Sequence, residues 1–221
     1  MIKKLLVFLL PWPLKRWLLK AWFNYDIHPT AYIGLAWVFP KKLVMKEYSR
    51  IAHFTVAIHL DYFELGINGS VGRSNWITGL SADTNLPYFS HQRNRRKSEL
   101  VIGDHSAITK LHHIDCTNSI TIGRFVTVAG YHSQFLTHSI DIEENRQDSA
   151  PIQIGDYCFI GTNSVILGGA RLPSFSVLGA KSLLNKNFEQ QYGLYAGVPA
   201  SLIKKMNKDA KYFTRQIGRV L

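Results

Sequence analysis

Two short histidine segments contain the residue types best suited to moving a proton near neutral pH. One is His112-His113-Ile114-Asp115, and the other is the Thr137-His138 pair within a polar stretch. A neutral imidazole has a pKa near ~6.5, so it can take the proton of a hydroxyl group that attacks a carbonyl carbon. General-base catalysis of this kind requires a framework that presents the ring beside a bound substrate.

The framework is indicated by a six-residue repeat in the second half of the chain. Aliphatic residues recur without a break at Ile154, Ile160, Ile166, Leu172, Leu178 and Leu184. Four positions after the first five of these stand small residues, namely Cys158, Ser164, Ala170, Ser176 and Ser182. A period of six fits neither an amphipathic helix nor one long alternating strand. It predicts short strands joined by tight corners, with the aliphatic and small residues pointing into a narrow core.

The same spacing extends, less regularly, over 27–79 and 100–133, and two segments interrupt it. The segment 80–99 is rich in arginine, and either binds acidic groups of a substrate or is a solvated charged loop. His112, Asn118 and His132 stand where the repeat expects small residues. An unpartnered buried imidazole is costly, so we expect these positions to bulge outward. His112, His113 and Asp115 are therefore candidate substrate-binding residues.

The repeat resembles the hexapeptide-repeat acyltransferases, especially the group of maltose and galactoside acetyltransferases and polysaccharide O-acetyltransferases. The resemblance covers roughly residues 100–205, and Tyr195-Ala196-Gly197-Val198-Pro199-Ala200 is its most specific stretch. It implies an all-β fold, a left-handed parallel β-helix with short N- and C-terminal helices. About eighteen residues would make one triangular coil. Leu172-Pro173-Ser174-Phe175 departs from the family pattern, because it lacks the usual corner glycine.

The resemblance also implies an activity: an O-acetyltransferase that uses acetyl-CoA and a carbohydrate acceptor, without a metal, in surface polysaccharide or lipid-linked glycan synthesis. It implies that His138 is the general base and that the backbone at Thr162 holds the thioester oxyanion. Asp115 and Asp141 remain alternatives for orienting the imidazole. A homotrimer with its site between subunits is implied. The residues expected to bind coenzyme A are Gly161, Gly179, Ala180, Lys181, Val198, Pro199, Lys204 and Lys205.

Two other functions share this fold. A zinc enzyme of the γ-carbonic anhydrase type would need three histidines, for which His105, His132 and His138 are candidates. Their spacing does not match that family, and the Gly-Val-Pro-Ala stretch favours acyl transfer. A non-catalytic repeat scaffold is the third interpretation. The net charge of +11 does not indicate nucleic-acid binding, because no nucleic-acid-binding motif accompanies it.

The chain divides into three predicted parts. Residues 1–26 form a basic amphipathic helix, 27–205 the β-helix with loops 80–99 and 134–151, and 206–221 a basic C-terminal helix. Leu14, Trp17, Leu18, Ala21 and Trp22 would share one face of the first helix. That face either contacts a membrane through residues 1–23 or packs on the β-helix or a neighbouring subunit. We expect a cytoplasmic protein, with any such contact at the inner face of the cytoplasmic membrane.

Overall fold

The computed structural model describes residues 1–84, 86–92 and 95–220. Part of the predicted basic loop, Asn85 and Arg93-Asn94, lies outside the described residues, as does Leu221 at the end of the predicted C-terminal helix. Everything below concerns the described residues.

The chain winds through three sheets that form the faces of a triangular prism. The first face contains Asp26–Ile27, Lys42–Met45, Tyr62–Leu65, Glu99–Ile102, Ile120–Ile122, Ile152–Ile154 and Arg171–Leu172. The second contains Tyr32–Ile33, Arg50–Ile51, Ser70–Val71, Ala107–Ile108, Thr127–Val128, Phe159–Ile160, Val177–Leu178, Gly193–Gly197 and Ala200–Lys205. The third contains Trp37–Phe39, Val56–Ile58, Trp76–Thr78, His113–Asp115, Gln134–Leu136, Val165–Leu167 and Leu183–Leu184. Strands pair in parallel, except the last pair of the second face.

The six-residue repeat builds the core as the sequence predicts. Ile160 pairs with Leu178 and Ile166 with Leu184, which gives one coil every 18 residues. All six aliphatic residues from Ile154 to Leu184 are buried, and so are the five small residues between them. A small side chain is needed because the corner leaves little room, and the Ser164 hydroxyl also donates to the carbonyl of Gly179 at 3.1 Å. The prediction of a left-handed parallel β-helix is confirmed.

The N-terminal segment forms two helices, Ile2–Leu9 and Trp12–Phe23, instead of one. The break falls at Leu10 and Pro11, as expected where proline cannot continue a helix. The second helix packs on the first coil through Leu18, Leu19 and the aliphatic stem of Lys15. The Lys15 ammonium donates to the carbonyl of Gly34 at 2.8 Å, and burial lowers its pKa to about 8. Among the described residues, no helix combines the length and apolar character that crossing a membrane requires.

The C-terminal segment differs from the predicted helix over 206–221. Only Lys211–Thr214 is helical, and the chain runs back along the edge between the first and second faces. An aromatic ladder of His105, Phe125, Tyr157, Phe175 and Tyr192 lines this edge, with neighbouring ring centroids 4.6 to 5.2 Å apart. Phe213 and Arg215 pack on it, and these tertiary contacts replace helical hydrogen bonds.

Both interruptions of the repeat leave the prism at one edge, between the third and first faces. The first runs from Gly79 to Ser98 and contains a 3-10 helix, Pro87–Gln92. The second is an antiparallel hairpin of His138–Asp141 and Arg146–Ser149. The loop predicted over 134–151 starts later, because Gln134–Leu136 is a wall strand with Phe135 buried.

Candidate active site

The two interruptions meet around His138. The amide of Gln92, in the first, donates to the carboxylate of Asp148 at 2.5 Å and to the carbonyl of Ser149 at 2.9 Å, in the hairpin. The Ser149 hydroxyl donates back to Gln92 at 2.6 Å. Ser149 is the residue paired with His138 across the hairpin. The two excursions therefore form one wall, with the exposed side chain of His138 upon it.

A carboxylate fixes the backbone on which His138 stands. Asp115 Oδ2 accepts hydrogen bonds from the backbone N–H of His138 at 3.1 Å and from the Thr137 hydroxyl at 3.2 Å. Its Oδ1 accepts from the N–H and hydroxyl of Thr117 at 3.1 and 2.7 Å. Thr137 is buried and its hydroxyl in turn accepts from the N–H of Asn118 at 2.9 Å. Asp115 thus connects the third face to the start of the hairpin.

The imidazole itself contacts neither of the two aspartates predicted to orient it. Its Nε2 is hydrogen-bonded to Oε1 of Gln147, on the opposite strand of the hairpin. The ring of Phe89, from the first excursion, meets it edge-on with centroids 5.7 Å apart. Asp141 instead faces Arg146 at 3.4 Å. Gln147 and Phe89 therefore orient the ring, while Asp115 positions its backbone.

The residues predicted to bind coenzyme A stack mostly along another edge, between the second and third faces. Gly161-Thr162, Gly179-Ala180-Lys181 and Val198-Pro199 each follow a second-face strand there. The coils approach closely: a Cβ on Gly161 would lie 2.4 Å from the backbone nitrogen of Ala180. Lys204 and Lys205 do not join this group, because they pair with Leu194 and Gly193 at the opposite edge of the second face.

Comparison with solved structures supports the fold. OatWY, a polysialic acid O-acetyltransferase, superposes with a TM-score of 0.54 at 17% identity, over 82% of this chain and 84% of its own. A variant of AntD, an N-acyltransferase from Bacillus cereus solved with dTDP and coenzyme A, gives 0.51 at 13% identity, over 80% and 83%. Identities this low establish the fold alone.

In sequence, the chain is 27% identical over 130 residues to WbbJ of Escherichia coli (strain K12), named as a lipopolysaccharide biosynthesis O-acetyl transferase. The match covers 52% of this chain and 65% of WbbJ, less than two thirds of that protein. No protein-family model matches the chain. The resemblance to the hexapeptide-repeat acyltransferases is confirmed. Within this hexapeptide-repeat fold, the individual roles of the predicted site residues remain predictions.

The prediction that His112 bulges outward to bind substrate is wrong. His112 is buried, with Nδ1 accepting the N–H of Ser133 at 3.1 Å and Nε2 2.9 Å from the Thr109 hydroxyl. Both ring nitrogens therefore have partners, which offsets the cost of burial. Burial lowers the pKa of His112 to about 4 and keeps the ring neutral. Asn118 is also buried, and donates to the Ser149 hydroxyl at 3.1 Å.

The three predicted substrate residues consequently separate across the third face of the hexapeptide-repeat fold. His112 lies at the edge shared with the second face, His113 is exposed on the face itself, and Asp115 lies beside His138. The candidate zinc ligands separate further. His105, His132 and His138 occupy three different edges of the prism, so one chain does not bring them to a common metal. The described residues contain no group of three or more metal-ligand side chains.

The sequence did not predict that Gln147 and Phe89 contact the His138 ring. The segment around Gln147 carries no alternating apolar pattern, so nothing in it indicated a hairpin strand facing His138. Phe89 is buried, but Leu86 and Tyr88 beside it are exposed, so the sequence did not single out the residue that packs inward. The hairpin register brings Gln147 to His138, and the shared edge of the β-helix brings Phe89 to it.

Proposed function

We propose that this protein is an acetyl-CoA-dependent O-acetyltransferase acting on a carbohydrate hydroxyl, in surface polysaccharide or lipid-linked glycan synthesis. The observation that carries the proposal is the exposed imidazole of His138, presented on a hairpin whose base is fixed by Asp115. The hexapeptide-repeat fold, the sequence relationship to WbbJ and the Val-Pro-containing stretch after Gly197 support it.

The proposed chemistry is direct transfer in a ternary complex. His138 accepts the proton of the acceptor hydroxyl as its oxygen bonds to the thioester carbonyl carbon. The backbone N–H at Thr162 stabilises the oxyanion that forms. The carbon–sulfur bond then breaks, and the leaving coenzyme A thiolate takes the proton from the imidazolium. Acetyl ester and free thiol are the products, so atoms and charge balance without a metal or an acyl-enzyme.

The proposed active unit is a homotrimer. In one chain the third face separates the edge of His138 from the edge of Gly161 and Thr162. A second copy is therefore needed to bring an imidazole to the edge between the second and third faces, where Gly161 and Thr162 lie and which is called the coenzyme edge below. Sedimentation analysis gives the assembly state, and a crystal soaked with coenzyme A gives the pairing. A thiol next to His138 of an adjacent subunit supports the proposal, and a thiol bound far from every His138 contradicts it.

The proposed membrane contact uses the N-terminal helices. Of the predicted apolar face, Leu14, Trp17 and Trp22 are exposed, whereas Leu18 packs on the first coil. Ile2, Leu5, Leu6 and Leu9 on the first helix are exposed as well. Lys3, Lys4, Arg16 and Lys20 accompany them, and residues 1–25 contain no acidic side chain. This combination favours an anionic bilayer surface. Co-sedimentation with phosphatidylglycerol vesicles should be reduced by Trp17→Ser with Leu9→Ser, and unchanged binding would contradict the contact.

The decisive experiment measures thiol release and acetylated product together. Purified protein is given acetyl-CoA and a panel of mono- and oligosaccharides, and mass spectrometry identifies the acetylated hydroxyl. His138→Ala should lower the acceptor-dependent rate by at least about 10²-fold. The matched control is His59→Asn, because His59 is exposed and its positive φ of 66° suits asparagine. An acceptor-dependent rate that His138→Ala lowers no more than the control does, or no transfer to any saccharide, would reject the proposal.

A further inference from the structure

A basic cleft of about 550 Å³ lies where the two excursions meet. Its walls come from the first excursion, from the hairpin and from the short connection after Cys116. Arg95, Arg96, Lys97 and Arg146 contribute four formal positive charges to its lining, and Glu99 and Asp148 two negative ones. The cleft is separate from the coenzyme edge, which lies across the third face.

The cleft shares its wall with His138. Ser149 lines it and pairs with His138 in the hairpin. Gln92 also lines it, and lies in the same 3-10 helix as Phe89, whose ring contacts the imidazole. An acceptor whose hydroxyl reaches His138 would therefore extend the rest of its structure toward this cleft.

The two acids of the cleft already have partners. Glu99 accepts the Ser119 hydroxyl at 2.9 Å, and Asp148 accepts the Gln92 amide and faces His91 at 3.6 Å. Arg146 is paired with Asp141, which lies outside the lining. Within the described part of the chain, no ion pair involves Arg95 or Lys97, and both side chains are exposed.

Arg96 gives the cleft a fixed cationic floor. Its side chain is buried, stacks 4.8 Å from the Phe89 ring centroid and donates to the carbonyls of Ser81 and Thr117, each at 2.7 Å. Its Nε has no hydrogen-bond partner among the described residues. The groups that accept its hydrogen bonds are neutral carbonyls. The carboxylates of Asp61 and Asp115 lie near enough to act on its charge, but neither forms an ion pair with it among the described residues. A buried guanidinium without a direct ion-pair partner favours an anion in the adjoining cleft.

The geometry points to an anionic acceptor: this cleft binds a carboxylate or phosphate of the glycan whose hydroxyl reaches His138. Arg95 and Lys97 meet the anion, Arg96 supplies fixed positive potential, and guanidinium groups match either oxyanion in forked geometry. This inference rests on the proposed function for the hydroxyl, and adds to it the charge class of the substrate.

The test compares ligands that differ only in charge. Tetragalacturonate is titrated against its uncharged methyl ester, and glucose 1-phosphate against methyl glucoside, by calorimetry on the full chain at about 50 mM salt. At least one anionic probe should bind about tenfold tighter than its neutral partner. The carboxylate and phosphate pairs distinguish the two sources of the anion. Equal binding of charged and neutral probes in both pairs would overturn the inference.

A double variant localises the effect. Arg95→Gln with Lys97→Gln should remove the preference for the anionic probe and leave neutral binding unchanged. The matched control, Arg50→Gln with Lys211→Gln, removes one exposed arginine and one exposed lysine far from the cleft. The same loss in both double variants would mean a general surface-charge effect and reject the site.

The two proposals fail separately. His138→Ala should retain the preference for anionic probes, because the cleft does not need the base. A charge preference without any acetyl transfer would reject the enzyme assignment and leave the anion site standing. Acetyl transfer at equal kcat/KM to charged and neutral acceptors would reject the anion site and leave the enzyme assignment standing.

Discussion

His112 and His138 flank the same face of the prism and have opposite environments. His112 is enclosed at one edge, with both ring nitrogens bonded within the chain. His138 stands exposed at the other edge, on a hairpin that leaves the repeat. Among the described residues, its ring is hydrogen-bonded to Gln147 and meets the Phe89 ring, and no carboxylate contacts it.

The difference teaches how a repeat fold separates structural from functional histidines. Where a side chain is buried within the coils, its polar groups must find partners there, so a buried histidine such as His112 stays neutral and fixed. Where an excursion leaves the wall, neighbouring coils no longer enclose the side chain, and the ring remains accessible to a substrate. Whether a histidine is enclosed by the coils or lies on an excursion therefore indicates whether its role is structural or functional.

The largest expected difference between the two is in catalysis. His138→Ala should lower acetyl transfer by about 10² to 10⁴-fold, the usual contribution of a general base. Its thermal unfolding should be unchanged, because an exposed ring contributes little packing. The measurement is kcat with saturating acetyl-CoA, beside a melting curve of the same sample. A large fall in melting temperature would mean that the His138 ring also contributes to the stability of the fold.

The reverse pattern is expected for His112→Ala. Removing the ring leaves the buried N–H of Ser133 without its acceptor and opens a cavity, at a combined cost of about 3 kcal/mol. Urea unfolding followed by circular dichroism measures this cost. Activity per folded molecule should stay within about threefold of wild type. If folded His112→Ala protein lost its activity, His112 would belong to the active site after all.

The sequence predicted the coils because each coil repeats the same local packing problem. An aliphatic residue at every sixth position and a small residue four positions later are consequences of one narrow core, visible without knowing any partner. The environment of His112 could not be predicted in this way. Its Nδ1 accepts a hydrogen bond from the backbone N–H of Ser133, in the next coil. A single histidine in the repeat gives no indication of that partner.

The site was predicted only in part for a similar reason. Thr137-His138 was recognisable as a motif, but the hairpin register that brings Gln147 to the ring depends on two polar strands without an apolar pattern. Asp115 lies near His138, as the sequence predicted. It accepts the backbone N–H of His138, however, and not a proton of the imidazole ring.

The free energy of unfolding should also depend on pH through His112. Its pKa is about 4 in the folded chain and about 6.5 when unfolded, so between these values only the unfolded chain takes up the proton. Stability therefore falls as the pH falls from about 6.5 to 4, by roughly 2 kcal/mol after allowance for relaxation. Urea unfolding at a series of pH values measures the slope. His112→Asn should remove most of it.

The smallest expected effect concerns the link between wall and hairpin at Asp115. Asp115→Asn keeps the size of the side chain, but an amide replaces one of the two oxygens that accept from His138, Thr137 and Thr117. Because Asp115 positions the backbone of His138 without touching its ring, kcat should fall about tenfold while the KM for acetyl-CoA stays constant. The pH at which the rate is half-maximal should also stay constant, since no carboxylate is removed from the imidazole. A shift of that pH by one unit or more would instead place Asp115 in direct contact with the base during turnover.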